Sequence, residues 1–219
     1  MISDTFSNLR APLAAAATDL QLQLSDPQIE QLLAYLAMME KWNKVYNLTS
    51  LRDPQAMLTH HLIDSLSLLP PLRKHAAGKS LRLMDVGSGG GLPGVVVAIC
   101  NPEIDVTCVD AVLKKASFIT QVAAELHLPN LHGVHSRVET LKAPAFDLIT
   151  SRAFASLLDF TNLTRQHLLP DAVWLAMKGQ QPVEELAALP DDLDVFHVEQ
   201  LQVPGLDAQR CLIWIRPKN

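Results

Sequence analysis

Aromatic side chains are scarce in this 219-residue chain, at 5% of positions, although hydrophobic residues of all kinds make up 48%. A core of that composition is filled mainly by Leu, Val and Ala, and the length suits one domain plus a modest extension. Long apolar runs are missing as well. No stretch of about 18 uncharged apolar residues occurs, so no membrane-spanning helix is expected. The opening MISDTFSNLRAPLAAAATDL puts no basic cluster ahead of its short Ala run, which argues against a secretory signal peptide. Cysteine is sparse. Cys100, Cys108 and Cys211 form no C-x-x-C pair and no Cys/His ligand spacing, and read as buried reduced thiols of a cytoplasmic protein. His60 and His61 are adjacent, so on a helix they point about 100° apart and make poor joint ligands; no metal site is expected. Nor is there an excess of positive charge. The net charge of −5 weighs against a nucleic-acid partner. Its distribution softens that argument. Between Lys41 and Arg152, Lys and Arg outnumber Asp and Glu by three, whereas between Gln166 and Gln209 only Lys178 stands against eight acids. A local basic surface on an acidic protein is compatible with this pattern.

What the chain has in quantity is periodicity of two kinds. Ile29, Leu32, Leu33, Leu36 and Met39 recur at helical spacing, behind the capping residues Ser25 and Asp26 and the first-turn Pro27, which predicts a helix over 26–47. A second helix is predicted from Pro54 to about Leu69, stopped by Pro70-Pro71, and a looser one from Phe6 to Leu22. Polar residues 72–80 read as a linker. From Leu81 onward short apolar runs alternate with helical stretches. Strands are predicted at 81–86, 106–109, 131–135, 146–150 and 173–177, with helices at 95–100, 114–127 and 157–169 between them. Strand-like 195–201 and 211–216, separated by the turn-rich VPGLDAQ, form an antiparallel hairpin at one side. The pattern predicts an α/β, Rossmann-like fold, a mostly parallel seven-stranded sheet with helices on both faces. Residues 1–80 are the N-terminal helical extension and linker, and residues 81–219 the α/β domain, the two packed as one unit.

The strongest local signal is LRLMDVGSGGGLPG, residues 81–94. An apolar strand ends at Asp85, a run containing Gly87, Gly89, Gly90, Gly91 and Gly94 follows, and an apolar helix begins. Glycines permit the tight turn and let backbone approach a ligand. Two cofactor patterns overlap here. Asp85-x-Gly87-x-Gly89-x-Gly91 fits a methyltransferase loop, and Gly89-x-Gly91-x-x-Gly94 fits the dinucleotide fingerprint. The acid separates them, because it suits the cationic sulfonium and amino group of S-adenosylmethionine and would repel a pyrophosphate. Asp110 ends the second strand about 20 residues beyond the glycines, where a carboxylate accepts ribose hydroxyls; it also stands where it would cap the next helix. Ala111 and Val112 follow and are placed to pack on an adenine face. After the third, fourth and fifth strands come Ser136-Arg137-Val138-Glu139, Ser151-Arg152-Ala153-Phe154-Ala155 and Lys178-Gly179-Gln180. Ligands bind at the carboxyl ends of such strands, and three cations there point to function. The N-terminal Lys41, Lys44 and Arg52 lie beside Trp42 and Tyr46. They form either an RNA-binding face or core packing with solvated lysines.

Eight ordered blocks are similar to one known family. They are KWNKVYNLTS (41–50), HHLIDSL (60–66), DVGSGGGLPG (85–94), VDAVLKKASFI (109–119), SRVE (136–139), SRAFASL (151–157), MKGQ (177–180) and VPGLDAQRCLIWI (203–215). Together they resemble the bacterial small-subunit ribosomal RNA methyltransferase G family, also called glucose-inhibited division protein B. The resemblance runs from about residue 20 to the end. It departs at His60, where a basic residue is common, and at Cys211, where His is frequent. It implies a class I methyltransferase fold and N7 methylation of one guanine in a decoding-region stem-loop of 16S ribosomal RNA, within the small ribosomal subunit. By position it implies cofactor contacts at Gly87, Leu92, Val138, Glu139 and Arg152, beside Asp85, Gly89, Gly91 and Asp110 from the residues themselves. Arg137 and Lys178 become candidates for positioning the target. Guanine N7 carries an in-plane lone pair and no proton, so no general base is expected. The protein is expected to be a cytoplasmic monomer that uses neither metal nor membrane. Two other classes fit the glycine loop: a nicotinamide-dependent oxidoreductase, whose hydride-transfer residues are not found, and a cofactor-binding assembly factor that transfers nothing.

Overall fold

The apolar runs pair into a single sheet of seven strands: β1 (Leu81–Val86), β2 (Ile104–Asp110), β3 (Leu131–His135), β4 (Phe146–Ser151), β5 (Leu168–Lys178), β6 (Leu193–Gln200) and β7 (Cys211–Pro217). This computed structural model describes residues 4–152, 154 and 156–218; Ala153 and Ala155 of the SRAFASL block lie outside the described residues. The strand order is β3-β2-β1-β4-β5-β7-β6. The first five strands are mutually parallel, and β7 runs antiparallel to both β5 and β6. Helices Gly94–Cys100, Leu113–Glu125 and Leu157–Thr164 supply the crossovers that parallel pairing needs. The fold is the α/β architecture expected.

Side-chain alternation along the strands builds two cores, one on each face. Leu83, Leu148 and Leu212 enter the cluster that also holds Leu32, Leu36 and Leu66 of the N-terminal helices. Their neighbours Met84, Ile149 and Ile213 face the other way, toward Phe146, Leu157 and Phe160. The N-terminal helices therefore share a core with one face of the sheet.

The Asp26–Tyr46 helix starts as its sequence predicts. Ser25 and Gln28 form a reciprocal capping box, Pro27 occupies the first turn, and Asn47 closes the end in the left-handed region. Several boundaries differ from expectation, and the helix expected over 6–22 is split into Asp4–Ser7 and Arg10–Asp19. Pro70 and Pro71 do not stop a helix but begin one, Leu69–Ala76, which takes up much of the expected linker. First-turn positions have no intrahelical use for an N–H, so proline costs nothing there. Upstream, Pro54–Met57 and Asp64–Leu66 flank a π-helical segment, Leu58–Ile63. The helix expected over 157–169 ends at Thr164, because Leu168 pairs with Phe146 and extends β5 backward. Sheet pairing outweighs helical spacing at that point. All three cysteines are buried and free, and no helix among the described residues is long and apolar enough to cross a membrane.

Candidate active site

β1 delivers Asp85 to the edge of the sheet, and the chain turns at once into the Gly94–Cys100 helix. Two glycines are required by close approach. Gly91 sits at φ +90°, and a Cβ there would lie 2.4 Å from Val95 Cγ2. A Cβ on Gly94 would lie 2.3 Å from Cys108 Sγ and 2.9 Å from Asp85 Oδ2. That last contact exists because the Gly94 N–H donates to Asp85 Oδ2 at 2.9 Å. Asp85 is fully buried, and among the described residues its Oδ1 accepts no hydrogen bond. Burial pushes its carboxyl from 3.8 up to about 7, although the Gly94 N–H and the Arg152 charge pull it back down.

Asp110 closes the opposite side of the turn. Its Oδ2 accepts from the Gly89 N–H at 2.9 Å and its Oδ1 from the Val112 N–H at 2.8 Å. Lys115 Nζ stands 3.8 Å away. The following helix begins at Leu113 with Val112 as its uncapped N-cap, so Asp110 ties down the residue before the helix rather than capping it. Two bonds leave further lone pairs on the carboxylate for ribose hydroxyls. Tyr35 holds the turn from below: its buried hydroxyl donates to the Gly90 carbonyl at 2.6 Å, and Met39 Cε abuts Gly90. Leu92 is buried beside the turn. Val138 is buried and Glu139 exposed on the segment after β3, where His167 and Gln166 bond their carbonyls.

The strand-end cations divide. Arg152 and Lys178, from neighbouring β4 and β5, line one cavity of about 330 Å³ together with Asp64, Arg210 and the adjacent His60 and His61. Arg137 does not join them. It is exposed at the end of the edge strand β3, which β2 and β1 separate from β4, a distance of about 14 Å at usual strand spacing. Within the cavity neither cation projects alone. Arg152 Nη1 donates to Asp64 Oδ2 at 2.9 Å and to the His60 carbonyl at 3.1 Å. Lys178 Nζ sits 2.9 Å from Glu185 Oε2 and donates to the Phe154 carbonyl at 3.3 Å. His61 bonds Thr49 through Nε2, and burial followed by the Arg152 charge lowers it to about 4.

On the N-terminal face Trp42 is half-buried, whereas Lys41, Lys44, Tyr46 and Arg52 are exposed. Trp42 packs on Phe118 and Tyr46 at ring distances of 5.3 and 4.9 Å. Lys44 pairs with Glu40, and Arg52 donates to the Asn43 carbonyl and Asn47 Oδ1. Asp64, Glu185, Tyr35 and Arg210 were not foreseen from sequence. A signal was present for Asp64 and Arg210, which lie within the blocks HHLIDSL and VPGLDAQRCLIWI; the antiparallel hairpin starts β7 at the edge where β5 ends, since Cys211 pairs with Lys178.

The turn fits S-adenosylmethionine. A buried carboxylate oxygen without a partner awaits a cation, and beside Gly89 a Cβ would meet nothing within 4 Å. Strand order, antiparallel β7 and an acid ahead of the glycine turn define a Rossmann-like class I S-adenosylmethionine-dependent methyltransferase. Solved structures agree on the fold. A SAM dependent methyltransferase from Aquifex aeolicus superposes with TM-score 0.58 at 17% identity, over 77% of this chain and 96% of that one. A Burkholderia thailandensis 1,6-didemethyltoxoflavin-N1-methyltransferase, solved with S-adenosylhomocysteine, gives 0.56 at 15% identity over 90% and 92%. A family profile described as rRNA small subunit methyltransferase G matches residues 28–213. The ribosomal RNA small subunit methyltransferase G of Acidovorax ebreus is 60% identical across 99% of this chain and 98% of its own length. That of Polaromonas naphthalenivorans is 58% identical across 97% and 98%. The chain belongs to the rRNA small subunit methyltransferase G family.

Proposed function

We propose that this methyltransferase modifies N7 of one guanine in a decoding-region stem-loop of 16S ribosomal RNA. The observation that carries the reading is the cavity lined by Arg152, Lys178 and Arg210 at the ends of β4 and β5 and the start of β7, of which β4 adjoins β1 and its glycine turn. A nucleic acid brings its phosphates to such charges. Family membership supplies the RNA class. The reading places cofactor contacts at Gly87, Gly89, Gly91 and Leu92 along the turn. Asp85 faces the cationic end, Asp110 accepts from the ribose, and Val138 and Glu139 border the base. Arg152 takes the carboxylate end. Lys178 positions the target, and Arg137 contacts RNA outside the cavity.

S-adenosylmethionine, when bound, supplies an electrophilic methyl group. The N7 lone pair is already in the plane of the base, so no side chain has to remove a proton. The residues of the chain align, hold charge and exclude water, which are large effects when the reacting atoms are kept near van der Waals contact. His61, neutral near neutral pH, adds no charge next to Arg152. The proposed setting is the cytoplasm, with one metal-free chain acting on the small ribosomal subunit. Residues 1–80 and 81–219 work as a unit, an assignment supported by the Tyr35–Gly90 bond. The test is to map methylated guanines in 16S RNA from a deletion strain before and after incubation with the purified protein, using naked RNA and subunits in parallel. One new N7-methylguanine at a decoding-region position is expected. Methylation elsewhere, or cofactor binding without transfer, refutes the assignment.

A further inference from the structure

Asp64 is 3% exposed and lies on the N-terminal helical region, yet both its oxygens pair with arginines at strand ends of the sheet. Oδ2 accepts from Arg152 Nη1 at 2.9 Å and Oδ1 from Arg210 Nε at 2.9 Å. Guanidinium groups do not deprotonate in proteins, so one negative charge is shared between two permanent positive ones. Lys178, which also lines the cavity, pairs with Glu185 beside it, and burial keeps His61 neutral near neutral pH. Arg152 and Arg210 together carry one more charge than the Asp64 carboxylate they share. Both guanidiniums are partly open to solvent, so an anion can reach that excess charge.

The two arginines differ in what they face. The Arg152 charge reaches the glycine turn, where it offsets part of the upward shift that burial gives Asp85 and Tyr35. Arg210 Nη1 donates to the Gln209 carbonyl and stands 3.9 Å from the Cβ position of Gly179, in the loop after β5. Arg210 and Arg152 are almost equally exposed, at 23% and 24% of their side chains, and among the described residues Arg210 bonds only through Nε and Nη1. Nη2 is left for a ligand approaching from solvent. The antiparallel course of β7 is what brings Arg210 to the strand-end edge, since residue 211 pairs with 178.

We propose that Arg210 forms an anion subsite for a backbone phosphate of the RNA beside the target base, and that Asp64 positions Arg210 and Arg152 as a pair, one toward nucleic acid and one toward the cofactor. The subsite rests on the RNA reading above. The division of labour is economical in geometry: a single rigid carboxylate sets the angle between the two guanidiniums, so cofactor and substrate anions are held in fixed relation.

The test compares wild type with Arg210→Ala, Arg210→Lys and Asp64→Asn. Cofactor affinity is measured by titration calorimetry. Binding of a 16S stem-loop RNA is followed across a salt series, and methyl transfer to small subunits from a deletion strain gives kcat and KM. In Arg210→Ala, cofactor affinity stays within about threefold, while the RNA KM rises about tenfold with kcat little changed, and the salt slope of RNA binding falls by about one phosphate contact. Arg210→Lys restores most RNA affinity because a phosphate accepts a point charge. Asp64→Asn weakens cofactor and RNA binding together. Arg210→Ala with wild-type RNA KM and salt slope overturns the subsite. So does equal loss of cofactor and RNA affinity, which reduces Arg210 to a brace on Arg152. If Arg210→Ala does not fold, Arg210→Lys and Arg210→Gln decide it: the glutamine must lose the salt-dependent contact that the lysine keeps. Wild-type protein that binds cofactor but leaves every ribosomal RNA unmethylated overturns the RNA reading, and the subsite with it.

Discussion

Removing the charge of Asp85 should stabilise the empty protein while weakening it as an enzyme. Asp85 is fully buried, and its carboxyl moves from 3.8 to about 7. At one pKa unit per 1.36 kcal/mol, holding it ionised in the fold costs about 4 kcal/mol. The folded chain holds this proton more tightly than the unfolded chain. The stabilisation is therefore complete below pH 3.8 and is lost as pH rises through about 7. Between pH 5 and pH 8 the loss amounts to about 3 kcal/mol. Asp85→Asn cannot ionise, and its amide oxygen can still accept the Gly94 N–H now held by Oδ2. Its amide nitrogen takes the place of the unpartnered Oδ1, a burial cost of about 1–3 kcal/mol that does not vary with pH. His61, lowered to about 4, titrates alike in both proteins and cancels. Thermal denaturation without ligand, near pH 5 and near pH 8, should show the Tm of the variant gaining on wild type by about 6–12 °C over that interval. In calorimetry, the affinity of wild type for S-adenosylmethionine should climb as pH passes through about 7, and that of the variant should stay low and flat. A Tm difference that is the same at both pH values refutes the reasoning, because Asp85 would then ionise in the fold without penalty.

Asp110→Ala removes the acceptor for the Gly89 and Val112 N–H groups as well as the ribose acceptor. Cofactor affinity should fall roughly ten- to a hundredfold, from about 1–3 kcal/mol of lost pairing, and unchanged calorimetric affinity in a folded variant would refute the ribose role. Lys178→Ala should leave cofactor affinity nearly unchanged, lower methyl transfer to small subunits and flatten its salt dependence. A wild-type rate at every salt concentration would make Lys178 a partner of Glu185 and nothing more. Gly94→Ala drives a methyl group to 2.3 Å from Cys108 Sγ. Overpacking of that kind costs about 1–3 kcal/mol and should lower both Tm and cofactor affinity; a variant matching wild type in both would mean the turn yields freely.

The cradle was legible in the sequence because it is made of neighbours. Asp85 and Gly94 lie nine residues apart and bond to each other, and the φ +90° at Gly91 follows from a turn that its own residues build. Alternating apolar runs carried the sheet and its helices for the same reason: periodicity of two against periodicity of 3.6 is a local property. Residue types alone did not say which end of a helix Pro70 and Pro71 belong to, because proline is excluded from helix interiors but welcome in a first turn. Nor did they show that Leu168 leaves its helix to pair with Phe146, a contact made across the sheet. The cation site lay furthest out of reach. Asp64 bonds Arg152 across 88 positions and Arg210 across 146, and a lone acid on a helix carries no mark of either partner. Which of Arg137, Arg152 and Lys178 lie close together depends on strand order, which sets β4 beside β5 and puts β3 at the far edge. Local physics decides which segments become strands and where a turn must be glycine. Which charges end up sharing one carboxylate depends on how those strands are ordered and which of them runs backward, and packing of the whole chain sets that order.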